Sequence, residues 1–370
     1  MRWKMKNFII AAVSFVLLLT AAVPLYASAD EPEDIYSELT EQLDEALAEF
    51  DLGIGYDDIT ELSFGELMST LWDRLSARIA APLRLLSAIL LIIVAASVLR
   101  TSAGSALGGS SGGTYDMVCV MTASAVAAPQ LIDVFTDTVA EIELCGGFII
   151  VFVPVFTAVA VACGGVTSAG VYHLMILGAS EMITELSESY LLPVLGAATA
   201  LSVTGSVFPD SSLECVVGLL KKASTWSITV VMTLFTGFVT LKCSIAGKAD
   251  GVAVKTVKTV ISGAVPVVGG AVSDAYATVK GSFEVIGSTV GAAGIIAIVL
   301  LLLPKILELF AYRGVMLLGA AAADMFSAPS LSKLLKSFDG ALAIAQCVLV
   351  CYGLMFLISS AILAQTIGQG

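Results

Sequence analysis

Few residues in this sequence could do chemistry in an apolar setting, and they are widely spaced. Glu181, Glu185 and Glu188 recur at i, i+4 and i+7, so a helix carries them on one face. At bilayer depth such a row could relay protons or cations, but each charge there costs about 2.5 kcal/mol or more. At a helix end the same row is simply solvated, and its place just before "SYLLPVLG", at a span boundary, favours solvation. Glu308 and Arg313 stand five apart, about 140° round a helix and poorly set for a direct pair. Each is expected to seek another helix, the interface or a water-filled path, which makes this pair the leading candidate for intramembrane polarity. Asp324, near the end of the same apolar run, is expected at the interface. His173 is the single histidine, with no partner close in sequence.

These residues do not make a catalytic constellation. HExxH and GxxxxGK[ST] are both missing. "GGSSGG" at 108–113 has the glycines of a phosphate loop without its lysine, and reads as a flexible linker. The seven cysteines are scattered, and only Cys347 and Cys351 share a helical face. With one histidine and no CxxC, a metal site is not expected. The reading is a non-enzyme with no catalytic residues, no cofactor, no metal and no nucleic-acid partner.

The elements that must position these residues are membrane helices. The chain is 58% hydrophobic and 13% charged over 370 residues. Typical soluble domains hold about 25% charged residues. Several runs exceed the roughly 18–20 apolar residues that cross hydrocarbon as a helix. The fold class is therefore all-α, a polytopic helical membrane protein with the lipid bilayer as its first partner. The net charge of −13 is uneven. Residues 30–73 hold fifteen Asp or Glu and no Lys or Arg.

Residues 1–29 have the form of a signal peptide: a charged start (Arg2, Lys4, Lys6), an apolar run from Phe8 to Val23, and Ala27-Ser28-Ala29 as a cleavage site. An uncleaved anchor is the alternative. Residues 30–80 then form an acidic, amphipathic, extracytoplasmic segment. Ile35, Leu39, Leu43, Leu47 and Phe50 make one helical stripe; Ile59, Leu62, Leu67, Leu71 and Leu75 make a second. This segment either packs on itself or docks on a partner or on the membrane body. Residues 81–145 hold the first membrane helix at 83–99, the Gly/Ser connector, a weak span at 117–135 and an acidic interfacial loop, "DVFTDTVAEIE". Residues 146–370 form the polytopic domain, with segments at 148–166, 170–186, 190–208, 223–241, 260–280, 285–303, 306–326 and 341–363. Val153-Pro154-Val155 recurs as Val265-Pro266-Val267, Leu192-Pro193 as Leu303-Pro304, and Leu219-Leu220-Lys221 as Leu334-Leu335-Lys336. These matches suggest parallel repeat units at 146–245 and 258–363, an arrangement known in transporters. A cleaved signal places Asp30 outside and Arg100 inside. The positive-inside tendency also draws Lys242, Lys248, Lys255 and Lys258 inside, which requires one re-entrant segment.

Within 260–280, Pro266, the pair Gly269–Gly270 and Asp274 disfavour one unbroken helix. A break in a membrane must face protein or water. The expectation is a buried, interrupted helix, with Pro154 as its counterpart. Gly291 and Gly294 lie in the next segment, where small residues allow close helix packing.

The blocks "TVKTVISGAVPVVGGAVSDAYATV" (256–279) and "GSTVGAAGIIAIVLLLLPKI" (287–306) resemble the stage III sporulation protein AE family of endospore-forming Firmicutes, and the organisation resembles it over essentially the whole chain. The resemblance implies a structural multi-pass subunit of the complex encoded by the spoIIIA operon. That complex lies in the mother-cell membrane around the forespore and works as a channel or secretion-like assembly needed after engulfment. The implied partners are the other products of that operon and, through the complex, a forespore membrane protein. The N-terminal segment would lie in the intermembrane space. No catalytic residues come with the resemblance. A secondary transporter of a small solute is the alternative, suggested by the repeat and its proline-interrupted segments.

Overall fold

A computed structural model describes residues 64–104, 112–208, 213–264 and 269–367. Those residues are helical, with no strand among them. We number the helices α1 (Phe64–Gly104), α2 (Gly112–Ala162), α3 (Val166–Leu186), α4 (Leu192–Val207), α5 (Leu213–Ala264), α6 (Gly269–Met325) and α7 (Pro329–Ile367). A wide π turn, Ser187–Leu191, joins α3 to α4.

The helices are fewer and longer than the hydropathy segments. Among the described residues, six stretches are long and apolar enough to cross a membrane: Leu71–Val98, Asp116–Ala162, Val166–Val207, Cys215–Val239, Thr289–Met325 and Pro329–Ala364. Segments 117–135 and 148–166 and the acidic loop between them are one helix, α2. Segments 285–303 and 306–326 fuse in α6 across Pro304. Segments 170–186 and 190–208 fuse across the π turn. Hydropathy windows end at charges and prolines. A proline deletes one backbone donor, and a buried helix survives that loss where neighbours enclose it. Pro193 shows the local device: the Leu192 amide reaches back five residues to the Ser187 carbonyl, and the widened turn admits the proline ring. In 260–280, α5 ends at Ala264 and α6 begins at Gly269; Pro266 lies outside the described residues, as does the chain before Phe64.

Two short turns close the bundle by one mechanism. After α2, Gly165 N–H bonds the Ala160 carbonyl and Gly164 N–H the Val161 carbonyl, with Gly164 at φ 91°. After α6, Ala328 N–H bonds the Ala323 carbonyl and Ser327 N–H the Asp324 carbonyl, with Ser327 at φ 58°. Both are Schellman ends, where a left-handed residue satisfies the last carbonyls. Pro329 then starts α7 at a position that needs no amide.

The helices run alternately up and down. Arg78 meets Glu308 and Ile89 packs at Gly319, so α1 and α6 are parallel at a constant offset of 230 residues. Phe156 lies over Gly291 and Phe152 over Gly294, so α2 and α6 are antiparallel. The core lies among α2, α6 and α7, with α3 closing one side. Phe148, Phe152 and Phe156 share one face of α2, with successive rings 5.4 and 5.6 Å apart. Phe356 of α7 packs edge-on against Phe148 and Phe152, and Tyr172 of α3 against Phe156. The missing side chains of Gly291 and Gly294 make room for two of these rings.

This topology corrects the sidedness expected from charge. The start of α1 at Phe64, the α2–α3 turn and the end of α7 share one end of the bundle. Arg100, at the other end of α1, lies opposite. Helix α5 enters at the Arg100 end; Lys221 contacts Ser337, and further along Ile228 and Met232 line one cleft with Val348 and Cys351, so α5 runs parallel to α7 at an offset of 116 residues from the first contact. Lys242 and Lys248 therefore lie toward the Phe64 end. Each described helix passes fully along the bundle, so no re-entrant segment brings Arg100 and these lysines to one side.

Candidate functional site

Charged side chains from three helices meet at mid-height in the bundle. On α2, Asp137 and Glu141 stand four apart and share a face; on α6, Lys305 and Glu308 stand three apart and do the same. On α1, Arg78 points between them. Its Nη1 donates to Glu141 Oε2 at 3.3 Å and to Glu308 Oε2 at 3.5 Å. Lys305 Nζ donates to that same Glu308 oxygen at 3.2 Å and lies 3.7 Å from Asp137 Oδ2. The result is an alternating chain, Glu141–Arg78–Glu308–Lys305–Asp137, that ties α1, α2 and α6 together.

Burial gives this chain its energetic weight. The Lys305 side chain is 1% exposed and that of Glu308 11%. A buried charge is tolerated only when paired, because its desolvation cost is several kcal/mol. Asp137 is 66% exposed and opens one end of the chain to the surroundings. Tyr312, one turn beyond Glu308, is buried beside it.

A second network begins one turn further along α6. Arg313 Nε donates to Asp339 Oδ1 at 2.8 Å, and Nη1 donates to Gln346 Oε1 at 2.8 Å. Gln346 Nε2 returns a bond to the Ile306 carbonyl at 3.3 Å. Nearby, Lys221 of α5 donates to the Ser337 backbone carbonyl and to Ser337 Oγ at 2.9 Å. Ser337 Oγ also pairs with Ser202 Oγ of α4 at 2.6 Å. Four helices are joined in this way. Asp324 pairs with Lys336 in an exposed bridge of 2.8 Å.

The residues singled out by spacing fall in different places. Glu308 and Arg313 serve separate networks on separate neighbours. Glu181, Glu185 and Glu188 are exposed, in the middle of the Val166–Val207 rod and not at a span boundary, because the π turn carries the helix onward. Glu185 accepts a bond from Ser189 at 2.8 Å. Gly146 faces Ser180 and Thr184, so these acids stand level with Glu143 and close to the height of the ion chain. Asp133, Asp137 and Glu143 are exposed there too. Together the acids form a patch at mid-height on α2, α3 and the π turn. His173 is half-buried on α3. Pro154 lies on the outer face of α2. Gly269, Gly270 and Asp274 lie in the first two turns of α6, roughly 50 Å along that helix from Glu308, and are not brought to either network.

Arg78, Lys305, Asp137, Glu141, Lys221 and Asp339 were not singled out from sequence. One signal was available: Lys305 precedes Glu308 by three, and Asp137 precedes Glu141 by four, each in an apolar run. Among the described residues, no group of three or more His, Cys, Asp or Glu is placed to hold a metal ion.

A stage III sporulation protein AE family model matches residues 56–366. The stage III sporulation protein AE of Bacillus subtilis (strain 168) is 25% identical over 154 residues, 42% of this chain and 39% of that relative's length. No solved structure matches. The family match covers most of the chain and includes every helix that carries the two charged networks. On that extent, this multi-pass helical protein belongs to the stage III sporulation protein AE family.

Proposed function

We propose that the chain is a structural multi-pass subunit of a sporulation-specific membrane complex. That complex joins mother cell to forespore and is needed for forespore development after engulfment. It would contain the other products of the spoIIIA operon and, through them, a forespore membrane protein. The family match supports the sporulation role. The observation that carries the structural reading is that the core charges answer one another. Arg78, Lys305 and Arg313 each find a carboxylate on another helix, so the networks act as stitches between helices.

Small-solute transport has less support. The cleft between α3, α5 and α7 is lined by Ile183, Tyr190, Ile228, Met232, Val348 and Cys351 and is almost wholly apolar. None of the paired charges lines it.

Deleting the gene in its spore-forming host tests the proposal. Development should stop after engulfment, and a plasmid copy should restore it. Normal numbers of heat-resistant spores in the deletion strain would overturn it. Solute flux through the purified protein in liposomes, lost in Glu308→Gln or Arg313→Gln, would favour transport instead.

A further inference from the structure

Helix register brings two oppositely charged parts of the chain to one end of the bundle. The offset of 230 residues between α1 and α6 puts Phe64 level with Gly294. Gly353 packs at Leu302, so the antiparallel α6–α7 register continues to that level. The offset of 116 between α7 and α5 then carries the level to Ile245. The chain thus leaves α1, toward its N-terminus, at the height between Lys242 and Lys248. Both lysines are exposed.

What leaves there is residues 30–63, which hold thirteen Asp or Glu and no Lys or Arg. What stands at that height is the basic part of the chain. Residues 242–280 hold five lysines against Asp250 and Asp274. Helix α5 continues past the end of α7, since Ile367 is level with Gly251. Lys255 and Lys258 lie on that extension, and the first turns of α6 extend beyond the α2–α3 turn in the same direction. Reach is no obstacle. Helices α1 and α5 both pack on α6, so their axes lie within two packed spacings, about 20 Å, and thirty-four residues span roughly 50 Å as helix and about 110 Å extended.

We propose that the acidic segment 30–63 docks in cis on the lysine-bearing C-terminal part of α5, from Lys242 onward, with Lys242 and Lys248 as its anchoring contacts. The occupant follows from complementary charge, from the length of chain available and from the height at which it departs. Lysines on that part of α5 would otherwise stand at this end of the bundle with no counter-charge on the described part of α5 beyond Lys242 except Asp250.

Zero-length carbodiimide coupling on the full chain in zwitterionic nanodiscs tests this. Mass spectrometry should find isopeptide links from carboxylates of residues 30–63 to Lys242 or Lys248, reduced about tenfold in 0.5 M salt because the Debye length then falls to a few ångströms. Lys242→Glu/Lys248→Glu should make residues 30–63 about tenfold more susceptible to limited proteolysis. Lys242→Arg/Lys248→Arg cannot form the links but should keep the protection. Both lysines are exposed, so unchanged helicity and melting check that the variants fold. Three outcomes overturn the proposal: no links in the wild type, links only between isotopically distinct copies, and protection of the lysines only when anionic lipid is added. The last two would assign the surface to a second copy or to lipid headgroups.

Discussion

At the scale of single residues, Lys305 is the clearest case of a position defined by its neighbours. Its ammonium is enclosed with Glu308 and Asp137, so Lys305→Met leaves Glu308 short of a partner. The expected cost is about 3–5 kcal/mol, seen as a large drop in melting temperature in detergent. Glu308→Gln/Lys305→Met removes both charges and should recover most of that loss, since an apolar replacement of a whole buried pair is often neutral. A double-mutant cycle showing no coupling would contradict the ion chain. Gly294→Leu should also destabilise, because the Phe152 ring occupies the space a side chain would need. Gly170→Ala, with open space around it, serves as the control. Ser327→Gly should stabilise by about 1 kcal/mol, since Ser327 holds a left-handed conformation that glycine adopts without penalty.

At the scale of elements, the π turn absorbs one extra residue in the rod formed by α3 and α4. Deleting Ser189 removes that residue, and the bond from the Leu192 amide to the Ser187 carbonyl becomes an ordinary helical one, so residues 192–207 keep their faces. Ser202 should stay turned toward Ser337. A cysteine placed at Ser202, buried in the parent, should therefore remain slow to react with a maleimide in the deletion variant. Ready labelling would show that the π turn is needed to aim α4. The length of α2 raises a related point. Its 47-residue apolar stretch, Asp116–Ala162, is about 70 Å long, roughly twice the hydrocarbon thickness. Asp133, Asp137, Glu141 and Glu143 divide it near the middle, at the height of Glu181, Glu185 and Glu188. Exposed carboxylates are expensive against lipid tails, so water or protein must reach this patch.

At the scale of the whole molecule, the up-and-down topology predicts sidedness. Cysteines placed near Phe64 and at Lys248 should label from the same side of an intact membrane, and one at Thr101 from the other. This pattern does not depend on whether residues 1–29 are removed. Labelling of Thr101 and Lys248 positions from one side would mean that a helix turns back within the bundle.

Class and local helicity were legible in the sequence, because length and apolarity are sums over neighbouring residues. The family was legible as well, from the glycine- and proline-bearing block at 256–279. The helix count was not. Pro129, Pro154, Pro304 and the acids of 133–143 look like breaks in a local window, yet α2 and α6 continue through them: Pro304 is buried among neighbouring helices, while Pro129, Pro154, Asp133, Asp137 and Glu143 stand on the outer face of α2. The charged site was half legible. Glu308 and Arg313 stood out as rare charges in an apolar run, and their spacing excluded a direct pair. Lys305 stands three residues before Glu308 on the same helix, but the partners on other helices, Arg78 and Asp339, lie 230 and 26 residues away, and spacing along one helix carries no information about which helix packs beside it. The sequence alone determined that buried charges needed partners. Only the tertiary structure decided which partners, because that depends on the register between helices, and register is set by the fit of rings such as Phe152 and Phe156 over Gly294 and Gly291.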